Sequence, residues 1–173
     1  MATSTPSQYL SEKTSHLEAQ APVAPSEARA AQIPLKDFSL PVFPPEAFTA
    51  GLTSLILTSD IKMNEYQQLL ETPYSVPELP STITSLTLEL FSLGYPNGFL
   101  VDLVIALPNI KNLTIYSQLF AGTTDSSKKD AISLLQDLKM LREVHFLDVF
   151  APPNIMKELA TSIASQTVFT EVS

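Results

Sequence analysis

A spacing of large apolar residues at the first, fourth and sixth of six positions recurs along the later two thirds of this chain. It reads Leu52-Thr53-Ser54-Leu55-Ile56-Leu57, Ile83-Thr84-Ser85-Leu86-Thr87-Leu88, Ile110-Lys111-Asn112-Leu113-Thr114-Ile115 and Leu141-Arg142-Glu143-Val144-His145-Phe146. The first residues lie 31, 27 and 31 positions apart, in the range in which repeated supersecondary units stack on one another. In each copy the two later apolar residues are separated by one position. This predicts a short strand that directs both of them to the same side, toward a core.

Helical spacing fills the intervals. Tyr66, Leu69 and Leu70 fall at i, i+3 and i+4, and Asn97 is placed to cap an apolar run that Pro108 ends after Leu107. Ser127 with Asp130 has the spacing of a capping box, followed by Ile132, Leu134, Leu135 and Leu138. Pro153 suits the first turn of a last helix that uses Ile155, Met156, Leu159, Ala160 and Ile163. Strand, helix and strand again predict an α/β fold of about four to five strand–helix units, with a parallel sheet on one face and the helices on the other. Phe169-Thr170-Glu171-Val172 lies 28 residues after Leu141-Arg142-Glu143-Val144 and matches its apolar positions. A fifth unit therefore begins there and is cut short, leaving an edge strand to which another chain could pair, a second copy of this one included.

The N-terminal third reads differently. Residues 1–33 are dominated by Ala, Ser, Thr, Pro, Glu and Gln, too few large apolar groups to offset the entropy of ordering, and predict a disordered tail. Residues 34–51 bring in Leu35, Phe38, Leu40, Val42, Phe43 and Phe48 among several prolines. The spacing Leu35, Phe38, Leu40 imitates the repeated unit only 17 positions before Leu52. This segment reads as an N-terminal cap or shortened repeat, because a terminal unit must cover the end of a stacked core. Residues 52–173 are the repeat domain.

Composition narrows the function classes. The 173 residues hold 10 Lys plus Arg against 18 Asp plus Glu, a net charge of -8, which repels phosphate backbones and anionic membrane surfaces. Neither nucleic acid nor a membrane is therefore an expected partner. There is no cysteine, so disulfides, thiolate metal sites and cysteine nucleophiles are excluded. Residues 99–107, the longest apolar run, are interrupted by Asp102 and fall far short of a bilayer span. The start of the chain lacks the charged and apolar regions of a signal peptide, and a cytoplasmic or nuclear location is expected. His16 and His145 are too far apart to form a metal cluster, and the four glycines make no phosphate-cradling loop; no cofactor is expected.

The repeated segments resemble a leucine-rich-repeat domain of the longer α/β kind found in ribonuclease-inhibitor-like and F-box-associated proteins. The resemblance covers about two thirds of the chain. That family places Asn or Cys eight positions after the first Leu, where the side chain satisfies backbone groups in the turn. Asp60, Phe91, Gln118 and Val149 stand there instead, which makes the repeats irregular. The resemblance implies a non-enzymatic module that binds a protein partner on the open face of its sheet, in its sharper form a substrate-recruiting subunit of a ubiquitin ligase. Pro44-Pro45-Glu46-Ala47-Phe48 is similar to the start of an F-box.

Three rows should line that face: Ser54, Ser85, Asn112 and Glu143; Ile56, Thr87, Thr114 and His145; Thr58, Glu89, Tyr116 and Leu147. Glu89, Tyr116, Glu143 and His145 are the main contact candidates, with Thr87, Asn112 and Thr114 between them. Glu143 and His145 could align an acid with a base, but no nucleophile motif accompanies them, and no catalytic residue is assigned. The alternatives are a small α/β enzyme whose alternating elements imitate repeats, and a truncated fragment without an autonomous role. If the inward and outward assignments hold, Leu113→Ala or Ile115→Ala costs about 2–5 kcal/mol in urea denaturation. Thr114→Ala, on the opposite side of the same strand, stays within about 1 kcal/mol. Equal losses at the two kinds of position would refute the register.

Overall fold

The computed structural model describes residues 29–151, 153–164 and 171–172. The expected tail, up to residue 28, and Phe169 and Thr170 of the final motif lie outside them. Six strands form one sheet: β1 Arg29–Leu35, β2 Leu52–Ser59, β3 Ser85–Glu89, β4 Asn112–Leu119, β5 Glu143–Phe150 and β6 Glu171–Val172. Each pairs in parallel with its neighbours in sequence, so the spatial order is the chain order. Parallel neighbours need a crossover, and helices alternate with the strands: α1 Pro45–Thr49, α2 Met63–Leu70, α3 Phe99–Ala106, α4 Asp125–Asp137 and α5 Pro153–Ala164.

The apolar spacing acts as expected. Leu55, Leu57, Leu86, Leu88, Leu113, Ile115 and Val144 are buried in one core, joined by Leu52, Ile83, Ile110 and Leu141 just before or at the start of each strand. Phe146 is partly buried and packs on Phe120, ring centroids 5.9 Å apart. The helices supply the other wall with Tyr66, Phe99, Leu100, Leu103, Ala131, Leu134, Leu135, Ile155 and Leu159. Helix α3 packs beside α4, and α4 beside α5. Alternate strand positions on the far side remain half-exposed, so the sheet has one covered face and one open face.

Three non-glycine residues adopt left-handed backbone: Leu90 (φ 63°), Ser117 (φ 49°) and Asp148 (φ 52°). They are equivalent, because the residues just before them, Glu89, Tyr116 and Leu147, pair across adjacent strands. Such a conformation costs roughly 1–2 kcal/mol for a residue with a Cβ. Its effect is to reset the alternation: the next residues, Phe91, Gln118 and Val149, would point outward in a regular strand, yet they turn toward the core. Gln118 is 1% exposed. Its Nε2 donates to the Leu88 carbonyl of the preceding unit at 2.7 Å, and its Oε1 accepts from the Tyr95 hydroxyl. At this one position a buried amide side chain ties a strand to the backbone of its neighbour.

An aromatic cluster joins the first three units. Phe38 meets Tyr66, Phe91 and Phe99 with ring centroids 5.8, 6.2 and 5.6 Å apart, and Tyr95 stacks between Phe91 (4.8 Å) and Phe99 (5.6 Å). Tyr74 approaches the edge of the same group at 5.4 Å from Phe99. The Tyr66 hydroxyl donates to the Gly94 carbonyl at 2.8 Å, so its buried polar tip is satisfied.

Several local expectations change. Strand β1 begins at Arg29, inside the segment assigned to the tail, and buries Ala31, Ile33 and Leu35 against β2; alanine in place of leucine hid the unit. Phe38 and Leu40 are core residues of the connection after this strand rather than positions within a strand. Helix α3 is not capped by Asn97: its cap is Gly98, at φ 86°, whose N–H donates 2.6 Å to Asp130 Oδ2 of α4. A Cβ on Gly98 would also stand 2.8 Å from the Tyr74 hydroxyl. Helix α4 starts before Ser127, with Thr124 Oγ1 accepting from the Ser127 N–H at 3.1 Å. Asp130 is thereby released to reach the neighbouring unit.

The buried polar groups set stability in two measurable ways. Gln118→Leu strips partners from the Leu88 carbonyl and the Tyr95 hydroxyl, an expected loss of about 2–4 kcal/mol in urea denaturation; adding Tyr95→Phe should recover part of it, and no recovery would contradict the pairing. Burial raises the Tyr66 and Tyr95 hydroxyls well above their usual range. Tyr74 is pushed up to about 12 by burial first and then by Asp102, whose carboxylate lies 2.8 Å away. Above pH about 10 the unfolded chain releases phenolic protons that the folded chain retains. The unfolded state then binds fewer protons, so stability is complete below that pH and falls as pH rises toward the folded values. Urea midpoints with tyrosinate absorbance should show this loss; midpoints unchanged between neutral pH and pH about 11 would exclude it.

Candidate functional site

The open face is a direct product of register. Ser54 pairs with Ser85, Ser85 with Asn112 and Asn112 with Glu143; Ile56, Thr87, Thr114 and His145 align next, then Thr58, Glu89, Tyr116 and Leu147. A slip of one residue would exchange these side chains with the buried leucines, so the core enforces the composition of the surface. Strand β1 widens the rows with Ala30, Gln32 and Pro34, and Glu171 of β6 aligns with Glu143. All seven candidate residues, Thr87, Glu89, Asn112, Thr114, Tyr116, Glu143 and His145, lie on this one face, on the three adjacent strands β3, β4 and β5.

Two polar chains cross the strands. In the first row the Asn112 amide lies between Ser85 Oγ and Glu143 Oε2, both at 3.3 Å; the orientation that satisfies every partner has Oδ1 toward the serine and Nδ2 toward the carboxylate and the Lys111 carbonyl. Glu143 Oε2 also stands 3.9 Å from His145 Nε2. In the third row the Thr58 hydroxyl donates to Glu89 Oε2 at 3.1 Å, and Gln32 Nε2 reaches Thr58 Oγ1 diagonally from the second row at 3.5 Å. These bonds engage Glu89 and Asn112, while Tyr116 and Leu147 project, 38% and 47% exposed.

The arrangement is suited to contact over an area. Glu143 and His145 form an acid–base pair on a strand surface, with Asn112 and Thr114 beside them on β4. A doubly wound sheet binds its ligand where the strand order reverses, whereas the order here runs without reversal from β1 to β6. Among the described residues no group of three or more His, Cys, Asp or Glu is placed to hold a metal ion, and no helix is long and apolar enough to cross a membrane.

Sequence reasoning missed the end of the face. Leu90 and Phe150 are exposed there, and the kink that places Leu90 leaves no apolar periodicity to read. Its signal would have been positional: Leu90, Ser117 and Asp148 share one offset from the first residue of each motif. Comparisons with protein-family models, with curated proteins and with solved structures each return no significant match.

Proposed function

We propose that this chain is an irregular leucine-rich-repeat solenoid and a non-enzymatic interaction module, which binds a protein partner through the open face of β3, β4 and β5. The observation that carries this reading is the in-register alignment of three outward rows over a buried leucine ladder. A rigid core thereby presents a fixed pattern of hydroxyl, amide, carboxylate and aromatic groups at strand intervals of about 4.8 Å. Glu89, Tyr116, Glu143 and His145 are the principal contacts, and Thr87, Asn112 and Thr114 complete the surface between them. In the sharper form of the reading the module recruits substrates for ubiquitin ligation. Helix α1 has five residues and β2 begins at Leu52, so in that form another chain supplies the docking helices. The edge of β6 is a second contact, where a further copy of the chain would add a strand.

The test is affinity capture with the intact chain and with a variant in which Glu89, Tyr116, Glu143 and His145 are all replaced by Ala. The variant should retain its urea midpoint and lose the partners that the intact chain holds. Equal retention of those partners would sink the open-face reading. Sedimentation across a concentration series tests the edge separately, since pairing of copies makes the mass concentration-dependent.

A further inference from the structure

At the C-terminal ends of β4 and β5 the polar side chains of the open face give way to large apolar ones. Tyr116 and Leu147 are cross-strand neighbours. Phe150, opposite Leu119 at the end of β5, is 70% exposed, and Leu90, whose N–H donates to the Tyr116 carbonyl at 3.0 Å, is 43% exposed. A leucine in left-handed backbone and in contact with water is unfavourable on both counts. Glycine would relieve the backbone there, and a polar residue would relieve the surface. The charged residues next to these four in sequence are of one sign: Glu89 precedes Leu90, and Asp148 follows Leu147. Lys111 and Arg142 stand at the opposite, N-terminal ends of β4 and β5.

We infer that this corner, formed by Leu90, Tyr116, Leu147 and Phe150 with Glu89 and Asp148 at its rim, docks a partner segment carrying a large apolar side chain flanked by Lys or Arg. The inference rests on the open-face reading and names the chemistry of its occupant. Charge complementarity selects the basic flanks, because an acidic segment would set like charges against Glu89 and Asp148. The aromatic and aliphatic group supplies the dry centre that an interface anchor fills, and the carboxylates supply its polar rim.

The experiment uses the full chain, isotope-labelled for amide resonances, and three short synthetic peptides of equal length. One alternates Lys with Leu and Phe, one has Glu in place of Lys, and one keeps Lys but has Ser in place of the apolar residues. The first should bind, with shifts centred on Leu90, Tyr116, Leu147 and Asp148. Tyr116→Ala and Leu147→Ala, which leave the net charge unchanged, should each weaken it about tenfold. Ile105→Ala, at an exposed position of α3, should not. Glu89→Gln and Asp148→Asn should weaken it while leaving the apolar group in place, and added salt should do the same. Spectra of the free variants check that each is folded.

Equal binding of the Glu peptide, equal binding of the Lys–Ser peptide, or no binding by any of the three would overturn the inference. Shifts confined to Ser85, Asn112 and the first row would overturn the corner and keep the open-face reading. Shifts on the helices would overturn both.

Discussion

Burial of alternate apolar side chains from strands β1 to β5 governs this fold, because it sets the register on which every other feature depends. A parallel strand cannot turn back on its neighbour. It must leave the sheet, cross it with a connection and return, and among the described residues these connections cover the side where Leu55, Leu86, Leu113 and Val144 converge. Once those positions pair across strands, the residues between them are assigned to the opposite face without further choice. The core and the open face are thus two readings of one constraint.

The end of each strand is governed by a second, costlier device. A left-handed residue in three consecutive units interrupts the alternation and brings Phe91, Gln118 and Val149 inward. Contacts made by these inward residues offset the kink: Phe91 enters the aromatic cluster, and Gln118 satisfies the Leu88 carbonyl while accepting from Tyr95. A buried amide without those partners would be destabilising. One glutamine makes the polar link at this place, and apolar packing serves the neighbouring units.

The same kink shapes the surface. Upstream of it, hydrogen bonds among Ser85, Asn112 and Glu143, and among Gln32, Thr58 and Glu89, link polar groups across the strands. On β4 and β5 the last row before it, Tyr116 and Leu147, is exposed, as are Leu90 at the kink and Phe150 beyond it. Along β4 and β5 the face therefore grades from Asn112 and Glu143 at one end to Tyr116 and Leu147 at the other. Such a gradient suits binding, since fixed polar groups give orientation and exposed apolar groups give affinity.

The alternation of strands and helices, the inward ladder, the membership of all three rows and the start of the last helix at Pro153 were legible in the sequence, because each depends on spacing within one short segment. The 28-residue offset likewise placed Glu171 and Val172 opposite Glu143 and Val144. Strand β1 was not legible, since Ala31 stands where later units have Leu55 and Leu86 and only the pairing with β2 makes it a strand. The bond from the Gly98 N–H to Asp130, the gathering of Phe38, Tyr66, Phe91, Tyr95 and Phe99, and the inward turn of Gln118 all join residues from different units. By itself the sequence determined which face of each strand is buried, because that is a matter of period. Only the tertiary structure decided how the units lock together and where apolar groups remain uncovered, because those contacts exist only once distant segments share one core.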